Sequence, residues 1–122
     1  QKNRVMIRKG EEMVQWNGLL PLGSIVLLNG SDKRMQIIGQ VQADAVTHKV
    51  YDYAAVPFPE GYIDENELAM FQHEDIRLIN AIGHLDDGEW EALAQLKELR
   101  DDLREGRVTV EELLERRGHT NV

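Results

Sequence analysis

Apolar positions along the chain change period after Gly83, and the change divides it into a strand region and a helical region. From Leu19 the apolar residues come in short, partly β-branched runs separated by turn signals. Leu20-Pro21-Leu22-Gly23 punctuates the start, Ser24 to Leu28 reads as a strand, and Asn29-Gly30-Ser31-Asp32 closes it with residue types that suit a hairpin. The partner strand is Met35 to Val41, in which Met35, Ile37 and Val41 share a face with Gly39, and a glycine inside a strand marks a bulge. A third strand runs from His48 to Val56. Val50, Asp52, Ala54 and Val56 alternate there with Tyr51, Tyr53 and Ala55, which predicts a strand covered on both faces with one carboxylate inserted. Pro57-Phe58-Pro59-Glu60-Gly61 reads as a stiff, shaped loop, because its prolines lack an amide hydrogen and push the residue before them toward extended backbone. Asp64 to Phe71 begins as a helical turn and ends as a strand. His73-Glu74-Asp75 is a turn or helix cap, and Ile76 to Ile82 alternates as the last strand.

Beyond Gly83 the spacing becomes helical. Asp86-Asp87-Gly88-Glu89 supplies a cap and first-turn carboxylates, and Trp90, Leu93, Leu96, Leu99 and Leu103 follow three or four apart, ending before Gly106. Thr109-Val110-Glu111-Glu112 is a capping box, with Val108 and Leu113 placed as a hydrophobic staple, and the second helix closes at Gly118. Before Leu19, the residues Val5, Ile7, Met13, Val14 and Trp16 fit neither period cleanly, so residues 1–18 read as an N-terminal segment, an added strand or arm. The expected class is α+β: a small, mostly antiparallel β-barrel or sheet, SH3-like, over residues 19–84. A C-terminal α-hairpin over 85–122 packs on the same core.

Composition narrows the function classes. Of 122 residues, 42% are hydrophobic and 30% charged, enough apolar side chain for one small core. The formal charge is −8. It is unevenly placed: residues 1–50 carry seven basic and four acidic side chains, residues 51–122 seven basic and eighteen acidic. This balance argues against nucleic acid, whose binding depends on Lys and Arg releasing counterions. The acidic half reads first as a solvated helical face and second as a surface that steers a basic partner. Zero cysteines exclude disulfides, thiolate metal sites and a Cys nucleophile, a composition that suits the cytoplasm. The longest apolar stretch, Leu19 to Leu28, is broken by Pro21, Gly23 and Ser24, which argues against membrane insertion. The chain shows no basic stretch followed by an apolar core and a cleavage site, so it reads as not exported by the general route.

Tests for chemistry come back empty. The best local cluster of metal-ligating residues is His73-Glu74-Asp75, with His48, Asp52 and His84 elsewhere; adjacent residues point in different directions, and no metal or other cofactor is expected. Ser24, Ser31, Thr47, Thr109 and Thr120 lack a nucleophile motif, and no glycine-rich phosphate loop is present. The paired carboxylates lie on the predicted exposed helix. What remains are features of a binding module: Tyr51, Tyr53, Phe58, Tyr62 and Phe71 put five of the seven aromatics into twenty-one residues around the double-proline loop. Such rings lose little entropy when covered, although the same set also suits the core of a barrel and its lid. Trp90 and Leu93 begin a stripe that is core-facing first and a partner surface second.

Several pieces in fixed order are similar to a known family. Leu20-Pro21-Leu22-Gly23-Ser24, Met35 to Gly39, Tyr51-Asp52-Tyr53, Pro57-Phe58-Pro59-Glu60-Gly61 and Phe71-Gln72-His73-Glu74-Asp75-Ile76 resemble DUF4176, a small bacterial family of unknown function, over residues 19 to 92. Members of that family are typically found in Gram-positive bacteria beside type VII secretion systems and the LXG toxins those systems export. The resemblance therefore implies a cytoplasmic accessory that binds an LXG toxin, as chaperone or targeting factor, with small helical secretion partners; it implies no cofactor and no catalytic residue. The candidate protein-binding residues are Tyr51, Tyr53, Phe58 and Tyr62 on the loop side and Trp90 and Leu93 on the helix. Two rivals stand beside this reading. One is an immunity protein that neutralises the toxin, and the other is a small hydrolase using Asp52 or His73, which predicts an enclosing pocket and a perturbed pKa.

Overall fold

A computed structural model describes residues 6–9, 12–16 and 18–117. Among these residues, seven strands, β1 (Met6–Lys9), β2 (Glu12–Gln15), β3 (Ile25–Leu28), β4 (Arg34–Ala43), β5 (Val50–Pro57), β6 (Ala69–Phe71) and β7 (Ile76–Ala81), are followed by two α-helices, α1 (Asp87–Arg104) and α2 (Val110–Arg116). The class is α+β, with a mostly antiparallel sheet and a C-terminal helix pair. The strands lie in the order β2-β1-β7-β3-β4-β5-β6, so among the described residues β2 and β6 are the edges and the sheet does not close into a barrel. In the N-terminal segment, which the sequence pattern leaves open, β1 and β2 pair antiparallel, and β1 runs parallel to β7 at Ile7 and Ile79.

The turn signals place the hairpins where chain chemistry allows them. Gly30 takes a positive φ of 80° between β3 and β4, a conformation with no steric cost for glycine. The register of β4 on β5 shifts between Ile37 and Gly39, so the expected bulge is present; it leaves Ile38 exposed. The third strand starts at Val50 rather than His48, because Asp44 Oδ1 accepts the amides of Val46 and Thr47 and bends the chain into a turn, with His48 at φ 63°. Pro57 ends β5 opposite Met35, and the amide of the next residue, Phe58, still reaches the Arg34 carbonyl at 2.9 Å.

The segment from Leu19 to Ser24 is tied to the middle of β4. Gly23 N–H donates to the Ile37 carbonyl and Ile37 N–H to the Ser24 carbonyl, both at 2.8 Å, and Gln40 Nε2 donates to the Leu20 carbonyl at 2.8 Å. Leu19 and Leu20 thereby join Val26, Ile37, Tyr53, Phe71, Ile76 and Ile79 in one buried cluster. Both helices begin as the sequence predicts: Asp86 with Glu89, and Thr109 with Glu112, form reciprocal capping boxes. Leu93 is buried, and Leu96, Leu99 and Leu103 pack half-buried against the core cluster, while Leu113 is the buried residue of α2. The α2 helix ends at Arg116, and its predicted close at Gly118 lies outside the described residues.

Candidate functional site

Two regions carry the candidate binding residues, and the structure treats them differently. On the loop side, Tyr53 is fully buried, its ring 5.5 Å from Phe71, so it belongs to the core and not to a contact surface. Tyr51 and Phe58 are half-buried, each beneath a cation: Lys49 Nζ lies 5.0 Å from the Tyr51 ring and the Arg34 guanidinium 5.1 Å from that of Phe58. Tyr62, 61% exposed, is the one candidate ring of this loop that faces solvent, beside exposed Ile63. The expected aromatic platform is therefore distributed between core, covered and exposed positions: Tyr51 and Tyr53 share a face of β5 but only Tyr53 is fully buried, and Phe58 and Tyr62 follow the end of the strand.

The helix side is concentrated. Trp90 in the first turn of α1 is 54% exposed, and its ring stacks on Trp16 with centroids 6.1 Å apart and planes 19° apart. Leu93, one turn on, points inward at 7% exposure and supports the surface from beneath. The α1 stripe thus splits: Leu93 takes the core-facing reading and Trp90 the surface one. Clefts open on both flanks of this turn. One, of about 200 Å³, is lined by Gly18, Leu19, Trp90, Leu93, Ala94 and Lys97. The other, of about 220 Å³, includes Pro21, Leu22, Gln40, Ala92, Leu93 and Leu96, with Leu22 itself 52% exposed.

Asp52 and His73, the residues a hydrolase would use, belong to a buried polar cluster between β5, the turn after β6 and the C-terminal half of α1. The Asp52 side chain is wholly buried; Oδ2 accepts the His73 amide at 2.8 Å and Arg104 Nη2 at 3.1 Å, and Arg100 Nη1 approaches to 3.5 Å. Gln72 completes the set, its Nε2 donating to the Val50 carbonyl at 2.9 Å while its Oε1 accepts the Asp52 amide and Arg104 Nη2. Its amide group pairs with the β5 backbone where β6 has ended, as another strand residue would. Tyr53 Oη accepts the Leu20 amide at 2.9 Å and shares a hydrogen bond of 2.7 Å with His73 Nδ1. Burial pushes the pKa of the Tyr53 phenol up. Among the described residues, Nε2 of His73 is buried without a hydrogen-bond partner. The cavities beside α1 do not reach Asp52 or His73. The cluster's contacts clamp α1 to the sheet.

Burial holds the His73 imidazole below its ordinary pKa, against the opposing pull of Asp52 and Glu74. The folded chain then binds fewer protons at this site than the unfolded chain, so its contribution to stability is complete above about pH 6.5 and is lost as pH falls through the lower folded value. We expect the midpoint of urea unfolding to fall between pH 7 and 5.5, and His73→Asn, which keeps an acceptor for Tyr53, to flatten that slope. An unchanged slope in the variant would assign the pH dependence to other groups.

One cluster is missed by a reading in which neighbours along the chain point apart. His84, Asp86 and Glu89 bring a ring nitrogen and two carboxylates within 4.8 Å of one another at the start of α1. Asp86 and Glu89 are there because the capping box needs them, and the bonds from Glu89 and His84 hold the Asp86 carboxyl well below the usual carboxylate range. The spacing of a cap followed three residues later by Glu is the signal that finds this cluster. Among the described residues, no helix is long and apolar enough to cross a membrane.

Comparison with known proteins extends the geometry in one direction. No curated protein and no solved structure matches the chain. The family described as Domain of unknown function (DUF4176) matches residues 19–92, more than half of the sequence, from the Leu19 crossing segment through β7 to the α1 turn that carries Trp90. The chain therefore belongs to the DUF4176 family.

Proposed function

We propose that this protein is a cytoplasmic accessory of a bacterial type VII secretion system that binds an LXG toxin, as chaperone or targeting factor, and catalyses no reaction of its own. The observation that carries a binding role is Trp90, a large ring left more than half exposed beside apolar clefts and held in place by Trp16. A ring already fixed loses little freedom when a partner covers it, and such tryptophans dominate interface energetics. The partner and the compartment rest on family membership, because DUF4176 proteins typically occur beside type VII secretion and LXG toxin loci.

Co-expression of the tagged chain with an LXG toxin should yield a stoichiometric complex. Trp90→Ala should weaken it by at least about tenfold, a modest value for an interface tryptophan. Loss of toxin export in cells lacking the protein, with no change in survival when the toxic domain is produced, supports the accessory role; rescue of those cells supports an immunity protein instead.

A further inference from the structure

We propose that the outer face of α1 is the docking site for a basic amphipathic helix of the partner, seated in a trough that runs from Trp90 past Ala94 to Asp101. This rests on the binding role proposed above and names the chemistry of what binds. The cleft of about 200 Å³ beside Trp90 and a second, shallow one of about 320 Å³ that reaches Glu91, Glu98 and Asp101 adjoin at Ala94 and Lys97, which line both. Ala94 keeps its floor low, which lets another helix approach closely.

Charge selects the occupant. Between Asp86 and Glu98 five carboxylates stand against one cation, Lys97. That cation is already committed, since Lys97 Nζ pairs with Asp101 Oδ2 at 3.1 Å. Glu91 and Glu98 are exposed and form no ion pair among the described residues. They are seven residues apart, two helical turns or about 10.5 Å, on the same face. A partner helix alongside α1 with Lys or Arg at i and i+7, and apolar residues between them for the Trp90 end, meets both carboxylates. On the opposite flank Glu89 is occupied in the cap with Asp86, which leaves less free charge there.

Backbone chemistry selects a helix over an extended segment. The amides and carbonyls of α1 are bonded within the helix, so its outer face offers no ladder to a strand, whereas a helical partner arrives with its own backbone satisfied. A second copy of this chain does not fit either, because the same faces would bring Glu91 and Glu98 against their equivalents.

The probe is a stapled peptide helix of about 18 residues, about 27 Å long, with leucines one turn apart and lysines two turns apart on one face. Control peptides carry glutamates in place of the lysines, or the lysines on the opposite face. Titrated into the full chain at low salt, the first peptide should bind at least about tenfold tighter than either control, and the difference should shrink at high salt. Ala94→Arg, an exposed substitution that fills the trough, should abolish binding, and Glu91→Lys with Glu98→Lys should shift the preference to the glutamate peptide. Equal affinities for the three peptides, or binding unchanged by Ala94→Arg, would overturn the site. An LXG toxin that co-purifies equally well with the Ala94→Arg chain also overturns it while leaving the accessory role standing. A toxin that never binds, with the peptide pattern intact, ends the accessory role and upholds the helix site.

Discussion

Replacing Arg100 and Arg104 together by methionine should destabilise the folded chain by about 3–5 kcal/mol, the cost of leaving a buried charge without its partners. Asp52 has no solvent to fall back on, and both guanidiniums reach it from consecutive turns of α1, Arg104 at 3.1 Å and Arg100 at 3.5 Å. Methionine keeps most of the aliphatic stem, so the effect reads charge rather than packing. The check is urea denaturation in four backgrounds. In an Asp52→Asn chain, which retains an acceptor for the His73 amide, the same arginine substitutions should cost far less, and the difference is the coupling energy. Additive costs would mean that the arginines stabilise through their stems. The consequence reaches the binding face, because the same helix that these arginines clamp carries Trp90 in its first turn and the trough along its outer face.

Gly83→Ala should cost about 3 kcal/mol or more, at the upper end for overpacking, because a backbone atom stands where the new methyl would go. A Cβ at this position would lie 2.0 Å from the Leu22 carbonyl oxygen and 3.0 Å from the Ser24 nitrogen, while the Gly83 amide donates to Ser24 Oγ at 3.0 Å. Relief requires moving the crossing segment off β4 or the start of α1 off the segment, and either shift disturbs the cleft at Leu22. Gly88→Ala is the control: in the first turn of α1 its Cβ meets Asp86 Oδ1 at an ordinary 3.4 Å, and alanine's helix propensity should leave stability unchanged or raise it by up to about 1 kcal/mol. Thermal unfolding of the two variants compares them directly. Equal midpoints would show that the close approach at Gly83 is relaxed easily.

Local chemistry was legible in the residues. The turn at Asn29-Gly30, the bulge at Gly39, the capping residues Asp86 and Thr109 and the helical spacing of Leu93, Leu96, Leu99 and Leu103 each express a preference satisfied within a few positions along the chain. The α+β class follows from that change of period. Partnerships between distant positions were not legible, because they depend on which strands pair and how helices cross them. β3 lies between β4, its neighbour in sequence, and β7, some fifty residues away, and β1 adds to β7 in parallel. A single carboxylate in a buried strand announces that it needs a partner, yet only packing α1 against β4 and β5 chooses Arg100 and Arg104 for Asp52. The same packing decides the candidate site. Trp90 and Leu93 belong to one helical stripe, and the packing of α1 on the core turns Leu93 inward with Leu19 and leaves Trp90 stacked on Trp16 at the surface. The sequence by itself determined the elements from Ile25 onward, the caps of both helices and the acidic helical half, since these follow from short-range sterics, capping and composition. Tertiary structure alone decided which apolar and charged side chains were left over for a partner, since burial depends on neighbours the chain brings together only when it folds.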